Sequence, residues 1–125
     1  VRVRTDALPK LGESIGPGIT EALARSADLL RDDADALDGW ATQVAANLDL
    51  ADLEITALAD LPKAVRTRLL RMAIYAAGAP MGSITADHVA SVEAFVTSWH
   101  GQGACSLPGG VKVCRISGRL SLLSR

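Results

Sequence analysis

Apolar residues recur at helical spacing through three segments and then switch to a period of two near residue 103. The first segment, Ile19 to about Ala46, sets Leu23, Ala27, Leu30, Ala34, Leu37, Ala41, Val44 and Leu48 at alternating steps of four and three. That is the heptad seam of a long helix that packs on a neighbour. Gly39 is its weak point, costing ~1 kcal/mol in a helix interior. The second segment, LPKAVRTRLLRMAIYAAGAP at 61–80, puts Val65, Leu69, Met72 and Ala76 on one stripe. Leu70, Ala73, Ile74 and Ala77 widen the stripe, so the spacing predicts an embedded helix. Pro62 suits a first helical position, Gly78 a C-terminal cap, and Pro80 forbids continuation. The third segment runs from Ala86 to about Ser98, with Thr85 as N-cap and Ile84 stapled to Val89. Its expected buried stripe is Val89, Val92, Val96 and Trp99, and Gly101 is its expected stop.

From Gly103 the pattern reads ACSLP, Gly109-Gly110, VKVCRI, Ser117-Gly118, RLSLL. Alternation broken by turn pairs predicts a three-stranded antiparallel meander. A further β-like piece sits at Leu53-Glu54-Ile55. The fold class is therefore α+β: a long connecting helix, then a small domain of two main helices packed on a three-stranded sheet. The expected division is 1–47 for the leading tail and long helix and 48–125 for the small domain. A hairpin centred on Gly109-Gly110 would bring Cys105 and Cys114 face to face.

Composition narrows the function classes. Hydrophobic residues make up 49% of the 125, which excludes a chain disordered throughout. No apolar run reaches the ~18–20 residues that span a bilayer. The opening VRVRTDALPK carries neither an initiator Met nor a signal-peptide pattern and reads as the interior of a longer protein. The net charge of −1 conceals a division: residues 1–60 hold twelve acids and five bases, residues 61–125 two acids and eight bases. A sign reversal between halves suits a polyanion to the second half. The two cysteines read as reduced thiols of a cytosolic protein, and with His88 or His100 they match no common zinc spacing. No Lys-Ser/Thr phosphate loop, G-x-G-x-x-G or nucleophile–His–acid arrangement is present. On residues alone this is a binding or scaffold module with no catalytic residue and no metal site.

Arg68, Arg71 and Tyr75 lie at i, i+3 and i+7, opposite the apolar stripe of the central helix. Those arginines are not used by the core. Arg66 projects nearer the apolar side and reads as a structural pair or a snorkelling side chain.

Four stretches in order resemble the C-terminal part of bacterial tRNA(Ile)-lysidine synthetase: VRVRTDALPKL, EALARSADLLRDDADALD, ALADLPKAVRTRLLRMAIYAAGAP and HGQGACSLPGGVKVCR. The family is an ATP-dependent ligase. It activates the wobble cytidine of an isoleucine tRNA as an adenylate, and free lysine displaces AMP. The resemblance implies that an N-terminal ATP-pyrophosphatase domain with an SGGxDS loop does the chemistry, while the C-terminal part holds the tRNA. This sequence lacks that loop, so ATP and lysine belong to the full-length enzyme and the chain alone is expected to be inactive. Arg2 and Arg4 match an R-x-R segment near the family's active site. The implied partners are tRNA and the N-terminal catalytic domain, in the cytoplasm and away from membranes.

The expected tRNA-backbone surface comprises Lys63, Arg68 and Arg71 with Lys112, Arg115 and Arg119 on the sheet. The competing reading is a helical protein–protein module, including a homodimer through the long helix, assembled on the heptad seam.

Overall fold

A computed structural model describes residues 17–124. By compactness the chain divides into two units, 1–36 and 37–125. Helix α1 runs from Pro17 to Ala45. Within residues 17–36 its seam is open to water, with Leu23 51% and Leu30 68% exposed. Within the second unit the same seam is occupied: Ala41 is fully buried, and Val44, Ala45 and Leu48 pack against the core.

The second unit continues as β1 (Asp52–Glu54), α2 (Ile55–Ala59), α3 (Lys63–Ala76), α4 (Ala86–Thr97), β2 (Cys105–Leu107), β3 (Val111–Ile116) and β4 (Arg119–Leu123). The sheet is antiparallel, in the order β1-β4-β3-β2. It has four strands where the period-two pattern predicted three, because the short piece at Leu53 joins the edge of β4. Leu53 faces Leu120 across that pair. One sheet face, Leu53, Leu107, Val111, Val113, Leu120 and Leu122, closes on Leu69, Leu70, Ala73 and Ile74 of α3 and Val89, Val92 and Phe95 of α4. Apart from Phe95 the buried core is aliphatic, in keeping with a composition of 3% aromatic residues.

Local signals set the helix ends. The Thr85 hydroxyl accepts from the His88 amide at 3.2 Å, and the His88 ring accepts from the Thr85 amide at 2.9 Å, a reciprocal box with histidine in the usual Glu position. Pro62 lies one place before the first turn of α3 and accepts from the amides of Val65 and Arg66. The buried stripe of α3 is centred on Val65, Leu69, Leu70, Ala73 and Ile74, leaving Met72 half-buried and Ala76 exposed. In α4 the buried positions are Val89, Val92, Glu93 and Phe95, and Trp99 lies beyond the helix, 39% exposed.

The register of β2 and β3 corrects the expected cysteine pairing. Leu107 faces Val111 and Cys105 faces Val113, so the connection is the three residues Pro108-Gly109-Gly110. A two-residue turn would have placed Pro108 in the ladder, where it has no N–H to donate. Taking Pro108 into the loop slips the register by one, which moves side chains to opposite faces. Cys105 packs against the core side, and Cys114, opposite Ser121, lies on the other face. Ser117-Gly118 does form the predicted two-residue turn, with both residues at positive φ.

Candidate functional site

The bases on α3 border a cleft of about 510 Å³, lined by Asp38, Lys63, Thr67, Arg68, Arg71 and Glu93 among others. The helical period of α3 aims Lys63, Thr67, Arg68 and Arg71 to one side, and α4 supplies the facing wall. Arg68 Nε donates to Asp38 Oδ1 at 2.7 Å, and its Nη1 donates to the Ala64 carbonyl at 2.9 Å. Arg71 Nη1 donates to the Ile84 carbonyl at 2.5 Å. These bonds hold both guanidiniums in place while leaving other N–H groups of each pointing at no protein acceptor among the described residues. Lys63 is the most exposed of the three bases, 3.9 Å from Glu93 Oε1. Glu93 is held below by Arg66 at 2.9 Å, so its charge is balanced inside the fold. The cleft therefore presents a net positive wall of ammonium and guanidinium groups.

The sheet cations expected on the same surface do not share it. Lys112 is exposed on the sheet face turned away from the helices, between Ser106 and Leu123 in register. Arg119 lies on that same outer face. It bonds Asp52 Oδ1 at 2.9 Å, and the hydrogen bond and then the charge of Asp52 hold its pKa above the ordinary value. Arg115 is on the helix-packed face, where its Nη1 donates to the Phe95 carbonyl at 2.7 Å. The period-two alternation of β3 separates Lys112 from Arg115 by design of the pleat. Arg2 and Arg4 lie outside the described residues.

Of the two readings open for Arg66, a structural pair or a snorkelling side chain, the structure shows the pair, with Glu93, at 9% exposed. The Tyr75 hydroxyl accepts from the amides of Gly82 and Ile84 at 3.2 and 3.4 Å, tying the loop before α4 to α3. Sequence reading missed Asp38 and Glu93 as cleft residues. Asp38 was one of five aspartates around α1, and nothing local distinguished it. Among the described residues no group of three or more His, Cys, Asp or Glu could hold a metal ion. Likewise, no helix there is long and apolar enough to cross a membrane.

Residues 53–121 match the family model described as the TilS substrate binding domain. The chain belongs to that family. The match begins in β1 and ends in β4, so the family domain comprises the sheet with α2, α3 and α4 and contains most of the cleft. Curated relatives named tRNA(Ile)-lysidine synthase include those of Thermobifida fusca, 51% identical over 121 residues, and Streptomyces coelicolor, 50% identical over 121 residues. Each alignment covers 95% of this chain but only 37% and 34% of the relative. The relative from Salinispora arenicola is 43% identical over 124 residues, covering 98% of this chain and 37% of its own length. The chain thus spans about a third of the length of these TilS relatives.

Proposed function

We propose that this chain is the tRNA-holding part of a tRNA(Ile)-lysidine synthase, with Lys63, Arg68 and Arg71 gripping the tRNA backbone. The observation that carries the reading is the convergence of those three bases on one cleft of the substrate binding domain. Phosphate contacts position a nucleic acid without reading its sequence. The cleft would therefore hold the tRNA while a separate catalytic domain ligates lysine to the wobble cytidine with ATP. Arg2 and Arg4 would lie on the side of that active site. The chain by itself would neither adenylate tRNA nor form lysidine.

The test is salt-dependent binding of an isoleucine tRNA transcript. Engagement of about three phosphates gives a log–log slope near −2 to −3, at roughly −0.7 to −0.9 per phosphate. Arg68→Ala with Arg71→Ala should flatten the slope by about one to two units. Lys112→Ala, on the other face of the sheet, should leave it unchanged. If the double variant binds with unaltered affinity and slope, the cleft is not the tRNA surface.

A further inference from the structure

Four aromatic residues are present in the chain, and two of them meet beyond the end of α4. Phe95 and Trp99 pack with ring centroids 5.8 Å apart at a 41° tilt. The Arg115 guanidinium lies 4.9 Å from the Trp99 ring centroid. None of the three lines the cleft.

Arg115 is held by a hydrogen bond, and Trp99 by its ring contacts and the segment that carries it. Arg115 donates to the Phe95 carbonyl, one of the groups a helix leaves without an intrahelical partner at its C-terminus. The segment carrying Trp99 turns back at Gly101, φ +83°. Gln102 braces that turn: its Oε1 accepts from the His100 amide at 2.9 Å and its Nε2 donates to the Ala94 carbonyl at 3.4 Å. An indole and a guanidinium are thus fixed next to each other and still reach solvent. Capping of α4 accounts for the Arg115–Phe95 bond. It does not account for a tryptophan left more than a third exposed beneath a cation.

We infer that Trp99 and Arg115 form a stacking site for an unpaired RNA nucleobase, distinct from the backbone-holding cleft. The inference rests on the tRNA reading above. Every base has a π face that stacks on an indole or on a guanidinium plane, so the site tolerates any base but needs one that is free of a duplex. Arg115 serves in two ways, as a plane for stacking and as a donor to the phosphate of the same nucleotide. Because both groups are already held in place, little ordering is required when the base arrives. The ligand is therefore a loop or terminal nucleotide, and a duplex segment does not enter.

Trp40→Phe leaves Trp99 as the sole tryptophan and so as a reporter of its own site. Binding of a labelled isoleucine tRNA transcript is followed by anisotropy, and Trp99 emission is followed in the same titration. Stacking predicts quenching that tracks the anisotropy, and no quenching by a blunt RNA duplex. Trp99→Leu, which keeps an apolar contact for Phe95, should weaken tRNA binding about fivefold to a hundredfold without changing the salt slope. Saturated anisotropy with unchanged Trp99 emission overturns the stacking site alone. Absence of any anisotropy change defeats the tRNA reading and the stacking site with it.

Discussion

Arg66 Nε donates to Glu93 Oε2 at 2.9 Å, joining α3 to α4 through two residues that are 9% and 8% exposed. Arg66 Nη1 also donates to the Leu61 carbonyl at 2.9 Å, with Leu58 a weaker acceptor at 3.4 Å. The pair lies directly under the cleft wall, so it fixes the spacing of the two helices that border the cleft. Removing one partner leaves the other as a buried, unmatched charge. Glu93→Ala should therefore cost about 3–5 kcal/mol, read from the urea midpoint at constant slope. Replacing both, Arg66→Met with Glu93→Leu, should recover most of that loss. A cost below ~1 kcal/mol for Glu93→Ala would show that water reaches the pair.

The tip of the β2–β3 connection is pressed against the end of α3. Gly109 has φ +82°, and a Cβ there would lie 2.7 Å from Pro80 Cδ, 2.9 Å from the Gly78 carbonyl oxygen and 3.0 Å from Ala79 Cα. Two of those three atoms are backbone and cannot swing aside. Gly109→Ala combines a disfavoured backbone conformation with a clash and should destabilise by roughly 1–3 kcal/mol. Gly118 is also at positive φ but has open space around it. Gly118→Ala should cost about 1–2 kcal/mol from conformation alone, less than Gly109→Ala loses. Thermal melts of the two variants compare them directly, and equal losses would remove the close approach as the cause.

The slipped register of β2 and β3 has a chemical readout. Cys105 and Cys114 are on opposite faces, so mild oxidation of the folded chain should leave two free thiols per molecule. Burial pushes the Cys105 thiol above its ordinary pKa, so less of it is thiolate at neutral pH. Alkylation should be slower at Cys105 than at Cys114, as mass mapping of the labelled peptides would show. An intramolecular disulfide formed without unfolding would restore the symmetric hairpin.

The sequence made the helices and the Ser117-Gly118 turn legible because their signals are local. Thr85, Gly78 and the apolar periods each act within a few residues of themselves. β1 was visible only as a fragment, since three residues carry too little alternation and its place depends on the exposed edge of β4. The cysteine pairing failed on one proline, whose missing N–H decides the loop length. Lys63, Arg68 and Arg71 do border one cleft, as the helical period of α3 dictates, but the acids beside them were not legible. Asp38 meets Arg68 from thirty residues away, and Glu93 was hidden in a stripe counted by apolar positions alone. Trp99 was assigned to the buried stripe by extending a helical period past the point where α4 stops.

Asp38 and Arg68 couple the end of α1 to the cleft. The bond is short at 2.7 Å, yet the Asp38 side chain is 65% exposed, so the pair adds little to stability. Its carboxylate occupies the donor that a phosphate oxygen would take. Backbone binding at Arg68 must therefore displace Asp38 or share the guanidinium with it, and either arrangement weakens the grip. Asp38→Asn removes the competing charge while keeping the size of the side chain. Folding stability should fall by less than ~1 kcal/mol. Affinity for isoleucine tRNA should rise about twofold to fivefold, which corresponds to release of an exposed ion pair. The salt slope should steepen by up to about one unit as Arg68 engages a phosphate fully. The opposite signs of the two effects distinguish this account from a general loosening of the fold, which would lower stability and affinity together. If Asp38→Asn binds no more tightly than the parent chain, Arg68 is not limited by its aspartate and the grip lies with Lys63 and Arg71.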